Sequence, residues 1–312
     1  MNLSIVVVGS LNMDFVVTVE RLPAPGETVL GRNFQMMPGG KGANQACAAG
    51  KLGAGAVAVH MAGCVGYDLF ADHLKASLSA AGVDVSMVHS TRSQPTGVAL
   101  IWVDSAGQNS IVVASGANHY IRPGDVGALR PAFRKASFVL LQLETPMDTV
   151  AAALQAAREE GSRTILDPAP AHHLTPELLS QVDILTPNES EACLLLAKPV
   201  SRLTIEEAAT LGRKLKQLGP RTVVLKLGEQ GCYCIDDDLE THISGFAVQP
   251  RDTTAAGDIF NAGLAVALAQ GQQLAEALRF ANASAAISVT RLGAQASVPT
   301  RAEVDAFMAA RA

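Results

Sequence analysis

Along the second half of the chain, short apolar runs alternate with stretches whose apolar residues recur at helical spacing. SFVLLQLE is one such run, and Thr145-Pro146-Met147-Asp148 after it resembles a helix start with proline at the first helical position. Val150, Leu154 and Ala157 then continue at helical spacing. RTILD, VDILT and RTVVLKL read as further buried strands. TIEEAATLGRKLKQLG opens with a capping-box pattern, Thr204 and Glu207, sets Ala208, Leu211, Leu215 and Leu218 on one face, and stops at Gly219-Pro220. Strand–helix alternation of this kind predicts a largely parallel sheet with helices on both sides. The first apolar run, Ile5 to Val8, reads as a buried strand; MNLSIVVVGS lacks the basic segment of a signal peptide.

Residues 14–38 and 96–118 depart from that pattern. They are rich in Val, Thr and Phe and alternate in places with polar residues, and TGVALIWVD and NSIVVASGAN flank SAGQ as a hairpin would. These segments are too polar for a sheet covered on both faces and predict a small excursion sheet, a lid or an interface. With no repeats, low-complexity tract or long linker, the expectation is one domain over residues 1–312 from which the lid grows.

Composition narrows the function. A 312-residue chain with 48% apolar and 17% charged residues can bury a substantial core, and its net charge of −5 includes no basic stripe for nucleic acid. Cys47, Cys64, Cys193, Cys232 and Cys234 match neither a zinc site nor a disulfide framework, which favours a reducing cytoplasm. No run approaches the roughly 20 apolar residues of a membrane span.

Four segments carry candidate chemistry. In PGGKGANQACAAGKLGA, Gly39, Gly40 and Gly42 permit close backbone approach, Ala43, Ala46 and Gly50 make a small-residue helix face, and Lys41 and Asn44 are donors suited to a hydroxylated ligand. A glycine-rich turn before a packed helix explains the same pattern. It is neither a P-loop nor a dinucleotide fingerprint. In DTTAAGDIFNAGL, the amides of Ala255, Ala256 and Gly257 fall at the start of an apolar helix, where a phosphate is stabilised by preorganised donors. Asp258 beside it is placed to accept a proton from an attacking hydroxyl, or is simply a favourable first-turn acid. In TPNESEA, Asn188 and Glu191 share a helical face; the acid suits Mg²⁺ held through waters, and a capping pattern suits the pair equally. In GSLNMDF, Asn12 and Asp14 point the same way if a strand continues there, a pair able to grip vicinal hydroxyls or to form a polar turn.

Taken in order, GSLNMDF, LPAPGET, GGKGANQA, QLE, DPAPA, TPNESE, DTTAAGD and TRLGAQASVP resemble the ribokinase branch of the PfkB carbohydrate kinase family across nearly the whole chain. The resemblance implies an α/β fold: a three-layer α/β/α sandwich, ribokinase-like, with a mostly parallel central sheet and a small β-sheet lid that pairs in a homodimer. It implies ATP and a pentose, D-ribose first, as substrates, with no nucleic acid or membrane partner. Asp258 matches the catalytic base, and Ala255, Ala256 and Gly257 the anion hole. Asn12, Asp14, Gly40, Lys41, Gly42, Asn44 and Glu144 match the sugar site. Asn188, Lys226, Gly228, Gly231, Gly257 and Asn282 match the nucleotide side, with Glu191 organising Mg²⁺. Asp252, Thr254, Ser288, Arg291, Gly293 and Ser297 match the positions around an activating K⁺. Two positions depart from the pattern: Lys226 stands where many ribokinases carry Thr, and Ala255 where the broader family often has Gly.

Other substrates within the family are 2-deoxyribose, fructose and nucleosides. Asn12 and Asp14 together favour a sugar with free hydroxyls at both positions they reach, since a missing hydroxyl leaves buried polar groups unpaired at a cost of about 1–3 kcal/mol. A nucleoside pocket calls for aromatic walls, and none of the 13 aromatic residues clusters near these motifs. A sugar-binding regulator would lack the base or the anion hole, and both motifs are intact. A dinucleotide oxidoreductase would show the absent fingerprint. His172 and His173 read as solvent-facing loop residues, and Cys232 and Cys234 as core packing on one face of a strand.

Overall fold

The computed structural model describes residues 3–105 and 108–311. Its strands in chain order are β1 (Leu3–Val8), β2 (Asn12–Thr18), β3 (Arg32–Gly39), β4 (Val57–Gly66), β5 (Val83–Thr91), β6 (Gly97–Val103), β7 (Asn109–Ala114), β8 (Phe138–Leu141), β9 (Arg163–Leu166), β10 (Ile184–Leu185), β11 (Thr222–Lys226), β12 (Gly231–Ile235) and β13 (Glu240–Ser244). The central sheet runs β13-β12-β11-β10-β9-β8-β1-β4-β5. It is parallel from β11 to β5, and β12 and β13 add antiparallel strands at one edge.

Strand β1 shows why the sheet needs two covering layers. Ile5 and Val7 enter one apolar core, with helices Lys41–Gly53 and Ala256–Ala269, while Val6 and Val8 enter the other, with helices Pro123–Phe133 and Met147–Glu159. Successive side chains point to opposite faces, so a strand apolar at every position must be buried on both. The result is a three-layer α/β/α sandwich. After β1 the chain builds outward through β4 and β5, then returns to β8 on the other side of β1. That reversal leaves a crevice at the carboxyl ends of β1 and β8, where open α/β sheets bind ligands.

The lid grows from this crevice. Four strands order β3-β2-β6-β7, with β2 parallel to β6 and the outer pairs antiparallel. Phe15 on β2 anchors it, edge-on to Phe70 of helix Leu69–Ala80 at 5.5 Å and stacked on Phe34 of β3 at 6.0 Å. The expected hairpin joins β6 to β7; the centre of its SAGQ turn lies outside the described residues. Residues 116–120 form a short 3₁₀ turn rather than extending β7.

Two local expectations change. Pro146, with ψ 136°, precedes the helix that begins at Met147 rather than occupying its first position. The VDILT run yields only a two-residue strand, because Thr186-Pro187 turns at once into the Asn188 helix start. His172 and His173 are exposed and all five cysteines are free and buried. No helix among the described residues is long and apolar enough to cross a membrane.

The contact that seats helix Lys41–Gly53 on the crevice is backbone to backbone. A Cβ on Gly42 would stand 2.6 Å from both the Gly9 carbonyl carbon and the Ser10 nitrogen. Gly42→Ala is therefore expected to lower stability by about 1–3 kcal/mol through overpacking, read as a shifted urea midpoint at constant slope.

Candidate active site

The loop from β1 into β2 and the start of helix Lys41–Gly53 hold each other in place. The Lys41 amide donates to Glu144 Oε2 (3.1 Å), the Gly42 amide to Ser10 Oγ (3.3 Å) and the Ala43 amide to the Ser10 carbonyl (2.9 Å). Ser10 Oγ in turn donates to Glu144 Oε2 at 2.5 Å. Glu144 thus satisfies helix-start donors that would otherwise be orphaned, and its charge sits at the favourable end of the dipole. Gly40 precedes the helix at φ +87°, and a Cβ there would lie 2.7 Å from the Asn12 nitrogen, so the glycine brings helix and β2 together.

Asn12 and Asp14 are both buried on β2. Asn118, from the 3₁₀ turn after β7, donates from Nδ2 to Asn12 Oδ1 (2.7 Å) and accepts from the Leu11 amide (2.8 Å). Asn118 thus fixes the orientation of the Asn12 amide by engaging its oxygen. Burial, then repulsion from Glu144 and Asp258, pushes the Asp14 carboxyl up to about 7.

At the far side of the crevice, Ala255 adopts a left-handed conformation (φ 60°) and starts helix Ala256–Ala269. Alanine pays a small strain in this conformation, which glycine adopts freely. The Ala256 amide closes the turn onto the Thr253 carbonyl (3.2 Å). Asp258 lies in the first turn, buried, and is held by two amides of the neighbouring helix: Asn44 Nδ2 donates to its Oδ2 and Gln45 Nε2 to its Oδ1, each at 3.1 Å. Burial is the largest influence on this carboxyl and raises it to about 6; Lys41 opposes the rise, and Asp167 adds to it. Burial also works against the charge on Lys41, but Asp258, Asp167, Glu144 and Glu191 outweigh it and hold the ammonium above its ordinary range.

Asp258 and Lys41 open onto a cavity of about 450 Å³ whose walls include Ala255–Gly257, Asn188, Glu191, Lys226 and Gly228. Asn188 and Glu191 form a reciprocal capping box, with all three bonds at 2.8 Å. The capping explanation of that pair is realised, and the pair also faces the cavity. Burial raises the Glu191 carboxyl, with Lys226 pulling the other way. Gly231 and Asn282 are not part of this wall. Gly231 opens β12, and Asn282 donates to the Ile243 (3.2 Å) and Ser244 (3.4 Å) carbonyls, fastening helix Leu274–Ser288 to β13.

The six residues expected around a monovalent cation divide. Asp252 Oδ1 accepts from the Thr254 amide (2.9 Å) and hydroxyl (2.6 Å), and its Oδ2 accepts from the Gly293 amide (2.8 Å). Burial opposes ionisation, but these bonds hold the carboxyl below its ordinary range. The Ser288 and Ser297 hydroxyls donate to carbonyls in their own turns, Ala285 and Ala294, and Arg291 pairs with Glu303 at 2.7 Å.

Four further residues build the site without having been singled out in the sequence. Gln45 Nε2 donates to Asp258 and also to Asp167 Oδ2 (3.2 Å), and Gln142 Nε2 donates to Gln45 Oε1 (2.7 Å). Asp167 pairs with Lys226 at 3.0 Å. Gln45 lies inside GGKGANQA and Asp167 opens DPAPA, so their segments were visible and their contacts were not. Asn118 carries no local signal, because only folding brings it to Asn12.

Buried polar residues on β2, a buried carboxylate and the start of an apolar helix share one crevice, an arrangement suited to a sugar kinase. Residues 2–301 match the pfkB family carbohydrate kinase profile, and the chain belongs to that family. It is similar to the ribokinase of Haemophilus influenzae, at 41% identity over 308 residues and 99% of both chains. It is likewise similar to the ribokinase of Bacillus subtilis, at 42% identity over 305 residues, 98% of this chain and 99% of the other. Among solved structures it matches an Arabidopsis thaliana ribokinase complexed with ribose and ATP, with TM-score 0.89, 36% identity and 99% of each chain covered.

With its carboxyl raised to about 6, Asp258 loses its charge progressively as pH falls through that value, and a reaction that needs it ionised slows with it. The rate constant kcat/KM is therefore expected to fall as pH drops through about 6, approaching about tenfold per pH unit below it. A pH–rate profile with saturating nucleotide checks this.

Proposed function

We propose that this chain transfers the γ-phosphoryl group of ATP to the 5-hydroxyl of D-ribose. The observation that carries the reading is Asp258, a buried carboxylate in the first turn of helix Ala256–Ala269, held by the Asn44 and Gln45 amides and open to the cavity lined by Ala255–Gly257 and Lys41. The ribose hydroxyl oxygen attacks the γ-phosphorus, its proton passes to Asp258, and the bond to the β-phosphate oxygen breaks to leave ADP. Amides at the helix start receive the developing negative charge, and the Lys41 ammonium at the same cavity supplies a cationic contact.

Asn12, Asp14, Gly40, Lys41, Gly42, Asn44 and Glu144 hold the sugar in this reading. Asn12 donates, and Asp14, with its carboxyl near 7, accepts or donates as the hydroxyl requires. Asn188, Lys226 and Gly228 receive the nucleotide, with Gly231 and Asn282 shaping the β12–β13 edge behind it. The donor set fits magnesium, which near phosphates takes one or two carboxylates and several waters, and Glu191 is one of the carboxylates at that wall. When bound with ATP the ion neutralises charge between the phosphates.

Potassium activation is part of the proposal. Asp252, kept ionised and bridging Thr254 to Gly293, ties the loop before the anion-binding helix start to residues 288–297, so a cation there would steady the donors. The lid suits a homodimer: Phe34, Met36, Ile111 and Val112 expose apolar side chains on β3 and β7. Five buried free cysteines support a cytoplasmic setting.

Asp258→Asn is expected to lower kcat by about 10²- to 10⁴-fold, the range for loss of a general base, while calorimetry still detects ribose binding. Turnover near wild type would sink the assignment. Separately, ADP release from MgATP should be strongest with D-ribose against 2-deoxyribose, fructose, arabinose and adenosine. It should fall when K⁺ is replaced by a large organic cation. Preference for another sugar would overturn the reading of Asn12 and Asp14, and indifference to the cation would overturn that of Asp252.

A further inference from the structure

We infer that Asp167 is a positioning residue for phosphoryl transfer, holding the Lys226 ammonium against Gly257 at the wall where the transferred group docks. The inference rests on Ala255–Gly257 as the phosphate seat and Asp258 as the base.

The two residues come from strands that do not touch. Asp167 follows β9, Lys226 ends β11, and β10 lies between them. Neighbouring strands are about 4.8 Å apart, so the lysine reaches across two such spacings to make its 3.0 Å contact. A Cβ placed on Gly257 would stand 3.3 Å from Lys226 Nζ, which puts the ammonium flush against the start of the anion-binding helix. A side chain shorter than lysine does not span that gap.

Stability does not account for the pair. Its side chains are 3% and 12% exposed, and a pair so withdrawn from water loses in desolvation much of what it gains in attraction. Positioning does account for it. A lysine free at a cavity wall samples many rotamers, and ordering it as phosphate arrives costs binding free energy. Asp167 orders it beforehand and occupies one ammonium donor, leaving two for phosphate oxygens.

The same carboxylate is tied to the base. Gln45 Nε2 donates both to Asp167 Oδ2 and to Asp258 Oδ1, and Gln142 fixes which end of that amide points inward. One amide therefore sets the spacing between the group that steadies the phosphate donor and the group that accepts the proton. The pair also tempers the cavity's charge, since Asp167, Glu189, Glu191 and Asp258 face only Lys41 and Lys226 there.

The test compares Asp167→Asn, Lys226→Met and the double variant. Asp167→Asn is expected to lower kcat by about 100-fold, the cost of a misplaced catalytic contact, with KM for ribose nearly unchanged. The acid limb of kcat/KM should move to lower pH, because a negative charge near Asp258 is gone while Lys41 on the helix, Asp14 on β2 and Glu191 at the wall remain. In a Lys226→Met background, Asp167→Asn should cost almost nothing more in kcat. Wild-type kcat in Asp167→Asn, an unmoved acid limb, or losses that multiply in the double variant would each overturn the inference. Should Asp167→Asn not fold, Lys226→Arg, which keeps the pair, must retain most of the kcat that Lys226→Met loses; equal losses would overturn it. Failure of the underlying reading has a different signature, near wild-type turnover in Asp258→Asn.

Discussion

A carboxylate buried inside a protein has to be held without being neutralised, and two amide donors from another helix do this for Asp258. Asn44 and Gln45 keep its oxygens bonded, while burial keeps its affinity for a proton near neutrality. A direct ion pair would hold it as firmly but would depress its basicity. The arrangement works only if helices Lys41–Gly53 and Ala256–Ala269 lie side by side with their starts level. That alignment depends on the glycine contact with the end of β1 and on Ser10 and Glu144 satisfying the helix-start amides.

From that alignment the rest of the crevice follows. The chain reverses direction in the sheet between β1 and β8, so Asn12, Asp14 and Glu144 emerge at the same edge. The strand that carries Asn12 and Asp14 continues outward as the lid, so crevice and lid share one strand. Lid closure over such a site excludes water, which would otherwise compete with the sugar hydroxyl for the phosphoryl group. Several carboxylates share the space, and the structure separates them with amides and two lysines rather than with distance.

Much of this was legible before folding was considered. Apolar runs of two to four residues announced β1, β8, β9 and β11, and the Thr204–Glu207 box marked its helix start, because these signals depend on nearest neighbours. The glycines around Lys41 and the small residues before Asp258 were readable as sites of close approach for the same reason. Pro146 was misread by one position, since proline tolerates both the first helical residue and the one before it. The Asn188–Glu191 pattern left capping and metal organisation open, and the structure builds the cap in a place that also faces the cavity.

Strand periodicity, helix starts and the order of motifs were thus determined by the sequence itself, because each arises from residues a few positions apart. Partnerships between residues far apart were decided only by the tertiary structure. Asn118 orienting Asn12, Gln45 spanning Asp167 and Asp258, and Lys226 reaching across β10 depend on which strands the sheet places together. The proton affinities of Asp14 and Asp258 belong to the same class. A carboxyl's ionisation depends on how much water is removed and which charges remain nearby, and both quantities exist only once the chain has closed around it.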